Sequence, residues 1–266
     1  MTRLTRCFEK LRSQKRVALI PFITAGDPSP NLIVPLMHTL VNFGADIIEL
    51  GVPFSDPMAD GPIIQRANER ALAAGTHLPI ILENIALFRQ QNSTTPVVLM
   101  GYLNPIEIMG YETFLTAAAQ VGVDGLLTVD LPPEEAHEML ESLKKHAIDP
   151  IFLLSPTTTI ERIKCIAAQA RGYLYYISLK GVTGSADLDI QAVADKLNLI
   201  RQCTNLPIGV GFGIKNAQTA AQVARFSDGV VVGSALVSLI ESTPPENLLQ
   251  EVGNFLKGLR QAMDQF

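Results

Sequence analysis

Eight short apolar runs, each followed by a stretch patterned as an amphipathic helix or a turn-rich loop, constrain the fold of this chain. They span residues 18–23, 46–50, 97–102, 125–129, 150–154, 173–178, 208–211 and 229–232. Most are apolar at consecutive rather than alternate positions, the pattern of strands covered on both faces. Such strands belong to parallel sheets joined by crossover helices. Helical spacing recurs over 32–42, 79–90, 111–121, 133–146, 159–170, 189–203 and 217–225, and a last helix is expected near 246–263, after Pro244-Pro245. Capping clusters open several of these segments, among them Asp27-Pro28-Ser29-Pro30 and Ser155-Pro156-Thr157-Thr158-Thr159. A doubly wound sheet would carry a glycine fingerprint after its first strand, whereas Thr24-Ala25-Gly26-Asp27-Pro28 follows here. The pattern therefore predicts an α/β fold, a (β/α)8 TIM barrel, as a single domain over 1–266 with an extra N-terminal helix.

A chain that is 47% hydrophobic and 18% charged can fill such a barrel. Its net charge of −5 excludes a broad electrostatic grip on nucleic acid. No apolar stretch is long enough to span a bilayer, and no signal-peptide core is present. The start is basic (Arg3, Arg6, Lys10, Arg12, Lys15, Arg16), with Leu4, Phe8 and Leu11 at helical spacing. That reads as an amphipathic helix lying on the body. A transit peptide is the rival, disfavoured because a strand pattern begins at Val17 without a spacer. A cytoplasmic location is expected, with the plastid stroma as the alternative for a plastid-encoded chain. Cys7, Cys165 and Cys203 form no CxxC pair, which suits reduced thiols. His38, His77, His137 and His146 show no ligand spacing, so no protein-held metal is expected.

In barrels the working residues lie at the C-terminal ends of the strands and on the loops beyond. There the chain reads Ile48-Glu49-Leu50-Gly51-Val52-Pro53-Phe54-Ser55-Asp56-Pro57-Met58-Ala59-Asp60-Gly61-Pro62. A glutamate inside an apolar strand is costly unless the site uses it, because desolvation disfavours its charged form. The alternative for Glu49 is a buried ion pair, yet no basic residue is near in sequence. Asp60 alone would pass as turn chemistry; beside Glu49 it reads as the second carboxylate of an acid–base pair. Asp56 suits a turn or cap.

Strand seven leads into Gly209-Val210-Gly211-Phe212-Gly213, and strand eight into Val232-Gly233-Ser234-Ala235. Paired glycine loops at these two strand ends suit a phosphate, with Gly213, Gly233 and Ser234 as its ligands; tight turns are the plainer alternative. Between them, Lys180-Gly181-Val182-Thr183-Gly184-Ser185 suits a closing lid, with Thr183 toward a carboxylate and Gly184 toward the phosphate. Lys180 is either an exposed loop lysine, the favoured reading, or a Schiff-base lysine of class I aldolase type. Tyr175 is either a core residue or a phenol facing the barrel mouth.

Segment 48–62, then Val129-Asp130-Leu131-Pro132, 155–159, Gly181-Val182-Thr183-Gly184, Gly211-Phe212-Gly213-Ile214 and 229–235 resemble the tryptophan synthase alpha subunit in order and spacing. The resemblance implies retro-aldol cleavage of indole-3-glycerol phosphate to indole and glyceraldehyde 3-phosphate. It implies no cofactor in this chain and a pyridoxal-phosphate beta subunit as partner, in an alpha2beta2 complex. Contact with that partner is expected at Pro53 to Met58, Asn104, Pro105 and near Pro132. Phe22, Met100, Leu127, Val129, Leu153, Thr183 and Phe212 would form the indole slot, and Tyr175 would lie beside Glu49. The chemistry is self-consistent. Protonating the indole ring at C3 creates its own electron sink, so neither metal nor lysine is required. Glu49 would move the proton, and a more solvated, ionised Asp60 would hold the indole N–H. The alternatives are a free-standing lyase, a class I aldolase using Lys180, and a catalytically silent barrel.

Overall fold

In the computed structural model, which describes residues 1–178, 189–211 and 213–265, nine parallel strands form one ring. They are β1 (Ala18–Thr24), β2 (Ile48–Gly51), β3 (Val97–Gly101), β4 (Gly125–Thr128), β5 (Asp149–Pro150), β6 (Phe152–Leu154), β7 (Leu174–Ile177), β8 (Ile208–Gly211) and β9 (Gly229–Val232). Their order is β5-β4-β3-β2-β1-β9-β8-β7-β6. β5 and β6 are the two halves of the expected fifth strand, split at Ile151. The first half pairs with β4 and the second with β7, so the ring is completed across them. Ile151 N–H still donates to Leu126 O at 2.9 Å. The ladder is thin here because Pro150 has no N–H to give it.

Around the strands run α1 (Arg3–Ser13), α2 (Ile33–Asn42), α3 (Pro62–Ala73), α4 (Leu78–Arg89), α5 (Leu103–Met109), α6 (Tyr111–Val121), α7 (His137–Lys145), α8 (Ile160–Gln169), α9 (Ile190–Arg201), α10 (Ala217–Ala224), α11 (Ser234–Ser242) and α12 (Leu248–Met263). Three of these, α3, α5 and α11, occupy stretches the sequence reading leaves as loops. Each begins close after a strand's C-terminal end, so the barrel mouth carries more helix than expected. α3 was legible: Pro62 stands in its first turn, and Ile64, Ala67, Asn68 and Ala71 are buried at helical spacing. Among the described residues no single helix is long and apolar enough to cross a membrane.

Two apolar layers result. The larger lies between strands and outer helices. The smaller fills the barrel, where Leu4, Phe8 and Leu11 of α1 meet Ile20, Ile47, Val98, Leu127, Ile151, Tyr173, Tyr175 and Val231. The basic start is therefore a structural element whose apolar face closes one end of the barrel. Glycines on β8 make room for the two tyrosines: a Cβ on Gly209 would lie 3.3 Å from the Tyr173 ring, and one on Gly211 would overlap the Tyr175 hydroxyl. Aspartates secure the strand entrances. Asp46 accepts from Leu19 N–H, Asp124 from Val97 N–H and Asp228 from Ile208 N–H, each at 2.9 Å. Arg260, Arg89 and Arg201 pair with these three carboxylates in turn.

Candidate active site

Glu49 lies in β2, with Phe22 of β1 and Val98 of β3 as its register partners. The residue is fully buried. Its Oε1 accepts a hydrogen bond from the Tyr173 hydroxyl, while Oε2 has no partner among the described residues. Burial pushes the carboxyl up to about 8, against the smaller downward pull of the Tyr173 bond. Among the described residues no cation offsets that burial, which leaves the ion-pair alternative without a partner there. A carboxyl in this state keeps its proton at neutral pH and can both give and take one.

The phenol hydrogen-bonded to Glu49 is Tyr173; Tyr175, expected beside Glu49, also feels its charge. Tyr173 and Tyr175 stand two residues apart and face the same way, as strand periodicity requires. Tyr173 reaches Glu49, whereas the Tyr175 hydroxyl closes over Gly211 and feels the charge of both Glu49 and Asp60. Tyr173 also rests on Phe8 of α1, with ring centroids 5.8 Å apart.

Asp60 ends the loop between β2 and α3. Its Oδ2 accepts from Asn68 Nδ2 at 3.4 Å, and its carboxyl is also opposed by the Tyr102 hydroxyl. It is half-buried, and burial pushes its carboxyl above the usual range, with Tyr102 and Asn68 pulling it down. Asp60 is thus the more solvated of the two carboxyls, as expected, though burial raises it as well. Both carboxyls are raised, and the large displacement belongs to Glu49, which has one hydrogen-bond donor where Asp60 has two.

Two apolar groups meet at the mouth. Phe22 packs with Ile64, Ala67 and Val237, and Met100 borders them. Met100 also borders the barrel interior, as do Val129 and Leu153, while Leu127 lies within it. The five described members of the expected indole slot thus belong to two apolar groups that share Met100, with Leu127 fully buried in the barrel. Gly213 has a left-handed φ of +79°, and Gly233 caps α11, whose first residue is Ser234. Thr183, Gly184, Lys180 and Phe212 lie outside the described residues. On the expected partner face Pro53 is buried, contrary to expectation, because Val52 N–H bonds Met100 O at 2.8 Å and draws the loop onto β3. Met58 and Ile108 are instead 78% and 81% exposed.

Three residues of this arrangement escaped the sequence reading: Tyr173, Tyr102 and Asn68. Strand period 2 back from Tyr175 would have flagged the first. No local pattern marks the other two, whose contacts with Asp60 span 42 and 8 residues, by subtraction of their numbers.

The family model described as "Tryptophan synthase alpha chain" matches residues 8–264. Among relatives, the chain is 59% identical to the tryptophan synthase alpha chain of Thioalkalivibrio sulfidiphilus, over 99% of this chain and 100% of that one. It is 57% identical to that of Cupriavidus taiwanensis over the same shares. Among solved structures, tryptophan synthase subunit alpha from Legionella pneumophila str. Paris superposes with a TM-score of 0.93 at 47% identity, covering 100% of both chains. An aminoacrylate-bound tryptophan synthase from M. tuberculosis gives 0.88 at 34%, covering 99% of this chain and 100% of that one. With nearly its whole length matched by the model and by relatives well over half identical, the chain belongs to the tryptophan synthase alpha chain family.

Proposed function

We infer that this chain is a carbon–carbon lyase that cleaves indole-3-glycerol phosphate to indole and glyceraldehyde 3-phosphate, and that a beta subunit receives the indole for L-tryptophan synthesis. The observation that carries the mechanism is Glu49: a fully buried carboxyl with no cation among the described residues to offset it, pushed up to about 8 by burial. Protonated Glu49 gives its proton to indole C3. The ring becomes an indoleninium, whose C=N⁺ accepts the electrons of the breaking C–C bond. Glu49, now a carboxylate, takes the proton from the glycerol hydroxyl as the aldehyde forms, and is ready for the next turnover. Asp60 holds the indole N–H and steadies the ring cation. Tyr175, which feels both carboxylates, borders the reacting ring. Phe22, Met100, Leu127, Val129 and Leu153 receive the indole, and Thr183 and Phe212 complete that slot. The phosphate is taken by backbone N–H groups at Gly184, Gly213, Gly233 and Ser234, the last two at the α11 N-terminus.

No cofactor is assigned to this chain; pyridoxal phosphate belongs to the beta subunit of an alpha2beta2 assembly. The exposed apolar side chains of Met58 and Ile108 support docking of that partner on the loop after β2 and on α5. Residues 1–266 act as one barrel domain in this reading, and the location is cytoplasmic.

Glu49→Gln keeps the shape and removes the transferable proton. Its kcat for indole release is expected to fall by roughly 10²–10⁴-fold while substrate affinity stays within a few-fold. A wild-type kcat in that variant would remove Glu49 from the mechanism. In the native enzyme kcat/KM should decline as pH rises through about 8, where free Glu49 loses its proton.

A further inference from the structure

A carboxylate on a loop is only as well placed as the groups that hold it. Tyr102 meets the Asp60 loop at both its ring and its hydroxyl. Tyr102 is 3% exposed, and its ring lies against Phe54 at 5.2 Å between centroids. Its hydroxyl accepts from Ala59 N–H at 3.0 Å, which leaves its own proton free to donate, and the Asp60 carboxylate is the partner it faces. Tyr102 itself is pinned on both sides. On one side Val52 N–H bonds Met100 O at 2.8 Å, and a Cβ on Gly101 would lie 3.0 Å from Val52. On the other, Leu103 N–H donates to Asp130 Oδ1 at 2.8 Å, tying the β3 end to the loop after β4. Asn68 adds a longer bond to Asp60 from α3.

We propose that Tyr102 is a positioning residue for the cleavage reaction: it holds the loop 52–61 in place and donates to Asp60 so that the carboxylate stays ionised toward the indole N–H. The proposal rests on the reading of Asp60 as the group that steadies the ring cation. Among the described residues the titratable groups that feel Asp60 are Tyr102 and Tyr175, and Asp130, after β4, acts on Tyr102 in turn. Among the described residues the groups that favour the charged form of Asp60 are Tyr102 and Asn68, and Tyr102 is the stronger.

The test compares Tyr102→Phe, Asp60→Asn and the double variant with the native chain in complex with its beta subunit, following indole release. Tyr102→Phe keeps the ring against Phe54, so its thermal midpoint should stay near native. Its kcat should fall about tenfold with KM within twofold, a split expected when an interaction made in the transition state is lost. Its acid limb should move to higher pH, because losing a donor raises the Asp60 pKa and ionisation then requires more alkaline solution. On the Asp60→Asn background the same change should cost no further rate, since the two act as a unit. Native kcat and an unchanged acid limb in Tyr102→Phe would overturn the proposal. So would a full tenfold loss on the Asp60→Asn background, which would mean Tyr102 acts independently. If instead Asp60→Asn alone kept the native rate, the assignment of Asp60 would fall and this proposal with it.

Discussion

Glu49 concentrates the residue-scale physics of this protein, because one side chain is at once the reactive group and a liability to folding. Its ordinary value is 4.5, and burial raises it to about 8 in the fold. A carboxyl raised in this way supports stability fully below pH 4.5, and that support is lost as pH rises through about 8, because the native state must then give up a proton the unfolded chain released earlier. Glu49→Gln carries no such proton. At pH 5 the variant and native chain should unfold at similar temperatures. At pH 9 the variant should be the more stable by on the order of 3 kcal/mol. Parallel stability curves from pH 5 to 9 would show that Glu49 is not desolvated as described. The liability itself was legible in the sequence, since a lone glutamate between Ile48 and Leu50 has no neighbour to neutralise it. Its hydrogen-bonding phenol was not, because period 2 puts Tyr173 and Tyr175 on one face without saying how deep each sits.

At the scale of elements, β7 and β8 act as a matched pair. β7 and the residue before it send two tyrosines inward, and β8 answers each with a glycine. Gly211→Ala would set a methyl where the Tyr175 hydroxyl now lies. The expected cost is about 1–3 kcal/mol in stability from the forced shift, with a fall in kcat larger than the change in KM as the Tyr175 hydroxyl is displaced. Denaturant unfolding and steady-state kinetics on the same preparation check both; a variant with native values would mean β8 can yield without moving the tyrosine. The sequence reading took these glycines for a phosphate loop, as their spacing alone suggests. Tertiary packing gives Gly211 a different reason for lacking a side chain.

The whole molecule separates chemistry from stability along the barrel axis. The two carboxylates lie toward the C-terminal ends of the strands, while the aspartate–arginine pairs sit where strands begin. Asp124 is the most heavily used of these acids: it accepts from Val97 N–H and from Arg89, and also pairs with Arg3. With the Asp124 and Arg89 side chains only 4% and 10% exposed, Asp124→Ala leaves a largely buried guanidinium unpaired. That change should cost about 3–5 kcal/mol while kcat of the folded fraction stays native. A loss of kcat at unchanged stability would contradict the division between the two ends.

By itself the sequence determined the alternation of strand and helix, the barrel, the buried glutamate with its companion aspartate, and the motifs of the family. These are properties of local pattern: apolar periodicity, turn residues and short spacings are written along the chain. Tertiary structure alone decided that Tyr173 rather than Tyr175 bonds Glu49, that Tyr102 and Asn68 oppose the burial of Asp60, and that α1 closes the barrel from below. Each of these joins residues on different elements, in most cases far apart in the chain. Depth and distance across a folded barrel follow from packing many strands at once, and no single stretch of sequence encodes them.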